Sequence, residues 1–132
     1  MSDFYNFVKN FFSTDESIDN TKYSTVGHEF RFSTDNAEGI YWFYEGDNFT
    51  IDIYDVFIKK EIIHTSFSGL NNFYSLYSSY LVTANGECFN PYQNLSSNSL
   101  FTINTKNSKD YRFILHKNSP YLGIGINFNQ SM

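Results

Sequence analysis

The chain has 132 residues, a length that fits one domain burying about two-thirds of its unfolded surface. Its net charge of −5, with nine scattered Lys and Arg of which only Lys59 and Lys60 are adjacent, excludes direct nucleic-acid binding through clustered phosphate contacts. A single cysteine, Cys88, excludes an internal disulfide framework and any multi-cysteine zinc site.

No basic-then-apolar leader pattern is visible, and no apolar run approaches the roughly 18 to 20 residues of a membrane span. A soluble, cytoplasmic protein without membrane contact is expected. Residues 2 to about 13, SDFYNFVKNFFS, place Phe4, Tyr5, Phe7, Val8, Phe11 and Phe12 at helical spacing, with Ser2 as a candidate N-cap and Asp3 in the first turn. This predicts a short amphipathic helix packing on something larger. Residues 13–25 are polar and acidic and read as a linker.

From about residue 26 the period changes to two. HEFRFS puts Phe30 and Phe32 on one face, IYWFY at 40–44 is nearly all apolar, and FTIDIYDVFI at 49–58 alternates at its start. Glu45-Gly46-Asp47-Asn48 between the last two reads as a hairpin loop. Further strands are predicted at 61–67, 73–83, 100–104, 111–116 and 121–128, with turns at 36–39, 68–71 and 105–109. Residues 86–99, GECFNPYQNLSSNS, are the least strand-like stretch and read as a connection, with Asn90-Pro91 ending the strand before it. Short strands at roughly ten-residue spacing predict an all-β sandwich or barrel. An aromatic content of 20% supplies rings for its core, and the tyrosines could also line a concave cavity.

Catalytic chemistry finds little support. His28, His64 and His116 lie on separate segments with no His-x-His, and the side chains of His28 and Glu29 point to opposite faces of a strand, so no metal site is expected. Asp47, Asp52 and Asp55 are close in sequence, but Asp52 alternates with Ile51 and Ile53, which predicts a solvated face. No Gly-x-Ser-x-Gly occurs. Cys88 has no neighbouring base to activate it. Gly123-Ile124-Gly125 lacks the rest of a dinucleotide fingerprint. Neither an enzyme nor a cofactor is expected. Binding remains. Trp42 and Tyr44 share a face and could stack on a sugar or an aromatic ligand inside a barrel, although Trp42 also suits plain core. The same two readings hold for Tyr74, Tyr77 and Tyr80.

Gly86, Glu87, Phe89, Asn90, Pro91, Tyr92 and Leu95, followed by His116, Lys117, Pro120, Gly125 and Ile126, resemble the sensor half of AraC-type transcription regulators, especially the version common in low-GC Gram-positive bacteria. The glycine-started strand and acidic turn of 39–58 are similar to that family's early barrel strands. The resemblance covers most of residues 26–128 and implies a cupin-like β-barrel or double-sheet jelly roll that binds a small effector or mediates dimerisation. It implies an organisation of helix and linker over 1–25 and barrel over 26–132. DNA contact would belong to a helix-turn-helix half not present here; the chain stops at Met132, where the family continues, and an excised domain is expected over a stand-alone relative. Gln93-Asn94 departs from the basic residues that relatives often carry there.

The expected partners are a sugar or aromatic effector and a second copy in a homodimer. The family assigns no ligand role to particular residues, so the candidate contacts are Trp42, Tyr44, Tyr77 and His116 on side-chain chemistry alone. Two other readings stand beside this one: a small cupin enzyme such as a sugar-phosphate isomerase or dioxygenase, and a stand-alone lipocalin-like or carbohydrate-binding module.

Overall fold

A computed structural model describes residues 2–64, 73–89, 92–104 and 112–129. The predicted turns at 68–71 and 105–109, the Asn90-Pro91 pair and the end of the predicted strand at 65–67 lie outside those residues.

The amphipathic N-terminus forms one helix, α1 (Asp3–Phe12). Ser2 caps it: its hydroxyl accepts a 3.0 Å hydrogen bond from the Tyr5 amide, satisfying one of the donors that a first helical turn leaves free. Ser13, in the left-handed region with φ 51°, ends it. No described helix is long and apolar enough to cross a membrane.

The rest is strand. One sheet has seven strands in the order β1 (Glu16–Ser17), β2 (His28–Ser33), β3 (Ala37–Glu45), β4 (Phe49–Ile58), β11 (Ser119–Asn129), β6 (Tyr74–Thr83) and β9 (Ser99–Asn104). The other has four, β5 (Ile62–His64), β10 (Arg112–Leu115), β7 (Asn85–Phe89) and β8 (Gln93–Ser96). All pairings are antiparallel. The expected hairpin between β3 and β4 is present, closed by a 2.8 Å bond from the Gly46 amide to the Phe49 carbonyl.

Three differences from the predicted elements have simple causes. Residues 36–39 do not form a whole turn, because β3 already begins at Ala37. Gly39 instead sits in the ladder at φ 150°, where a Cβ would come within 2.2 Å of the Asp55 carbonyl oxygen. The stretch read as linker contains β1, whose Glu16 and Ser17 pair with Phe30 and Glu29. The polar connection 86–99 contains β7 and β8, paired in register from Asn85↔Ser96 to Cys88↔Gln93. β8 offers only one apolar residue, Leu95, too few to display a period of two.

Alternation along the strands separates an inner from an outer face of the large sheet. Inner side chains meet α1 at one end and the small sheet at the other. Phe4 and Val8 of α1 are buried against Phe30, Tyr41 and Phe43, with the Phe4 and Phe43 rings edge to face at 4.9 Å. Toward the small sheet, Leu81, Phe101 and Ile103 pack with Cys88 and Leu95. The core is therefore shared between the helix end and the sheet–sheet end.

Truncating Phe4 to Ala should cost about 3–5 kcal/mol by opening a cavity between α1 and the sheet. Ile18→Ala, at a site 83% exposed, should change stability by less than about 0.5 kcal/mol. Denaturant unfolding of the two variants measures both.

Candidate functional site

The inner face of the large sheet carries a carboxylate where apolar packing would be expected. Asp52 is 2% exposed, which corrects the expectation of a solvated position. Alternation gives parity only: Ile51 and Ile53 lie on the outer face, and Asp52 shares the inner face with Thr50, Tyr54 and Val56. Both faces of β4 are apolar enough that composition does not tell them apart.

The ladder of β4 with β11 sets Asp52 opposite Gly125 and Thr50 opposite Asn127, and that of β11 with β6 sets Asn127 opposite Tyr77. Asp52 Oδ2 accepts a 2.8 Å bond from the Tyr41 hydroxyl and a longer one, 3.4 Å, from Asn127 Nδ2. Asn127 Nδ2 also reaches the Thr50 carbonyl at 3.5 Å. Asp52 Oδ1 and Asn127 Oδ1 are buried and have no hydrogen-bond partner among the described residues. Gly125 makes the close approach possible: a Cβ there would lie 2.7 Å from Asp52 Oδ1 and 2.9 Å from the Tyr77 hydroxyl.

Tyr54 and Tyr121 complete the surroundings, with Tyr54 stacked obliquely on Tyr41 at 4.5 Å and edge-on to Tyr121 at 6.1 Å. Burial pushes the Asp52 carboxyl up from its usual 3.8 to about 6, while the Tyr41 and Asn127 donors and the backbone of Gly125 pull it back down. Burial first, and the charge of Asp52 second, drive the phenols of Tyr54, Tyr77 and Tyr121 above their ordinary value. These hydroxyls stay protonated and able to donate. The cluster can thus both accept and donate hydrogen bonds in a water-poor setting.

The four candidate contacts do not converge. Tyr77 belongs to the interior cluster. Trp42 and Tyr44 share a face as expected, but it is the outer one. Trp42 is buried there beneath residues 20–27, with its indole nitrogen donating to the Ser24 carbonyl at 2.9 Å. That segment is tied down by Glu29, whose carboxylate accepts from the amides of Lys22 and Tyr23, and by Asp55, which accepts from Lys22 Nζ and the Tyr23 hydroxyl at 2.7 Å each. Tyr44 is exposed. His116 lies at the rim of the small sheet between Glu87, 2.8 Å from Nε2, and Glu61, 3.3 Å from Nδ1. His28 points inward to Glu16 at 3.0 Å, away from Glu29. Among the described residues no group of three or more His, Cys, Asp or Glu comes together as a metal cage.

Asp52 supplies a pH signature with a definite sign. Its folded-state pKa is raised, so its contribution to stability is fully present below about pH 4 and is lost as pH rises through about 6. Asp52→Asn should abolish that dependence and, at pH 7.5, exceed the wild type by on the order of 2–3 kcal/mol. Denaturant melts at pH 4 and 7.5 test this; an equal wild-type-minus-variant difference at both would refute it.

No family model matches the sequence, and no curated protein matches it. Solved structures are similar in fold. They include a cupin superfamily protein from Desulfitobacterium hafniense, at 5% identity over 83% of this chain and 84% of that one with a TM-score of 0.47. An RmlC-like cupin protein from Desulfovibrio desulfuricans matches at 11% identity over 84% and 94%, with a TM-score of 0.42. FeII HppE reaches a TM-score of 0.50 at 7% identity, over 86% of this chain and 64% of that one. Identities this low speak to fold alone. The described residues form an all-β fold of two antiparallel sheets with one short N-terminal helix.

Proposed function

We propose that the chain is the effector-sensing domain of an AraC-type transcription regulator, and that it takes a polyhydroxylated effector of the sugar class at the Asp52 cluster. One observation carries this reading: two buried acceptors, Asp52 Oδ1 and Asn127 Oδ1, have no partner among the described residues. A buried acceptor left unsatisfied costs about 1–3 kcal/mol, so a ligand hydroxyl placed there is favoured by relief of that cost as well as by its own contacts. The neighbouring phenols of Tyr54, Tyr77 and Tyr121 are held protonated and would donate to other ligand oxygens. Donors and acceptors around one point suit a sugar better than an aromatic acid, whose ring would leave the acceptors unpaired.

The transcriptional part of the reading rests on the resemblance of residues 86–95 and 116–126 to the family's sensor half. In it, DNA contact belongs to a separate helix-turn-helix domain, consistent with a net charge of −5 here. Effector occupancy would shift the population of barrel arrangements and thereby the placement of that attached domain.

A thermal-shift screen with sugars, polyols, aromatic acids and bile salts tests the effector. A binding sugar at 100 times its dissociation constant should stabilise the domain by about 2.7 kcal/mol. Tyr77→Phe and Asp52→Asn should each abolish most of that gain while leaving the protein folded. Stabilisation by aromatic acids alone, or sugar stabilisation unchanged in Asp52→Asn, would overturn the assignment.

A further inference from the structure

Asp52 is a buried acid with no counter-ion among the described residues. The titratable groups that face it are phenols: Tyr41 from β3, Tyr54 from its own strand, Tyr121 from β11 and Tyr77 from β6. The thiol of Cys88 on β7 lies next to Tyr121. Cations nearby in the fold are engaged elsewhere: Lys22 and Arg31 serve the outer-face acids Asp55 and Glu29, and the inward His28 is taken by Glu16 at 3.0 Å. Asp52 Oδ2 is already occupied, by the Tyr41 hydroxyl at 2.8 Å and the Asn127 amide at 3.4 Å. Asp52 Oδ1 and Asn127 Oδ1 accept no well-aligned hydrogen bond among the described residues. Both side chains are buried, whereas Tyr54, Tyr77 and Tyr121 are only partly so, which makes their rings the approach to the acid.

We infer that the ligand of this interior site carries an ammonium group, which makes the effector an amino sugar. The inference rests on the reading of the Asp52 cluster as a sugar site and narrows it. Three features select the ammonium. The first is the kind of group left open: both are acceptors, and an ammonium offers only donors, whereas a neutral hydroxyl would leave the carboxylate charge unpaired. The second is charge: a buried carboxylate gains most from a buried partner of opposite sign, and a chain of net charge −5 attracts cationic ligands. The third is the surroundings, where tyrosine rings gather beside the acid, Tyr41 on Tyr54 at 4.5 Å and Tyr54 against Tyr121 at 6.1 Å. Ring faces attract a desolvated cation. A guanidinium fits less well, because its fork needs both carboxylate oxygens and Oδ2 is taken. A hard metal ion would want about six or more oxygen ligands, and among the described residues no group of three or more His, Cys, Asp or Glu assembles. Asp52, held up at about 6 by burial, pairs with an ammonium only when ionised, so affinity falls as pH drops through that value.

Isothermal titration calorimetry of the full chain at pH 7 tests it. Glucosamine, galactosamine and mannosamine are set against their parent hexoses and against the N-acetylated sugars, which keep the nitrogen and lose its charge. Methylammonium chloride is the probe without hydroxyls. At least one amino sugar should bind about tenfold or more tighter than both of its neutral counterparts, roughly 1.4 kcal/mol. Its affinity should fall about tenfold between pH 7 and pH 5, as Asp52 takes up a proton. In Asp52→Asn, with circular dichroism confirming the fold, the preference for the charged sugar should vanish. A hexose that binds as tightly as its amino form overturns the ammonium and leaves the sugar reading standing. Methylammonium binding with no sugar bound overturns the sugar reading and supports the ammonium. A preference unchanged at pH 5, or in folded Asp52→Asn, overturns Asp52 as the anchor. Binding of none of these probes overturns both.

Discussion

The ladder between β4 and β11, unbroken from Ser119↔Ile58 to Phe128↔Phe49, is the constraint on which the other features depend. It joins the β2–β3–β4 side of the large sheet to the β6–β9 side, and it decides which residues face inward. Because side chains alternate strictly, a slip by one residue would turn Asp52 and Asn127 out to solvent and bring Ile53 and Ile124 in. On hydrophobicity alone the slipped register is not obviously worse. What distinguishes the native one is geometry at Gly125, where the missing Cβ leaves room for Asp52 Oδ1 and the Tyr77 hydroxyl.

Placing a carboxylate in that interior is costly, and the structure offsets only part of the cost. The Tyr41 hydroxyl and the Asn127 amide satisfy one oxygen and the Gly125 backbone lies close enough to favour the charge, but no cation among the described residues pairs with Asp52, and its other oxygen accepts no well-aligned hydrogen bond among them. Glu29 is the instructive contrast. It is just as buried, yet it accepts from two backbone amides and from Arg31, so its charge is fully partnered and it serves to hold residues 20–27 over Trp42. One acid is explained by structure alone; the other keeps an unused acceptor in the interior. That difference, more than burial, marks Asp52 as the group with chemistry to spare.

How far this was legible in the sequence follows from what each residue pattern encodes. The helix was readable because Phe4, Phe7, Val8, Phe11 and Phe12 repeat at helical spacing behind a capping Ser2, and β2 and β4 because alternation and a Gly-Asp turn bracket them. β1 and β8 were not readable: each is a short edge element with at most one apolar residue, held by its neighbour's hydrogen bonds. The interior site was the larger loss. Alternation places Asp52 and Ile53 on opposite faces but cannot say which face meets the second sheet, and in β4 the usual cue of a polar outside fails because the outside is apolar too. Trp42 illustrates the same limit in reverse. Its burial comes from residues 20–27 folding over the outer face, which depends on contacts of Glu29 and Asp55 that no local pattern announces.

The apolar outside and the polar inside belong to the same strands. β4, β11 and β6 carry Asp52, Gly125, Asn127 and Tyr77 inward, and Ile53, Ile124 and Tyr80 outward, so the two faces are separated by one sheet thickness. A backbone shift at Gly125 would also move Ile124, its immediate neighbour on the other face. Packed sheets respond to such shifts by changing between discrete arrangements, not by stretching, because interiors are close-packed. The register that buries an awkward carboxylate therefore also fixes which apolar side chains of the same strands face outward.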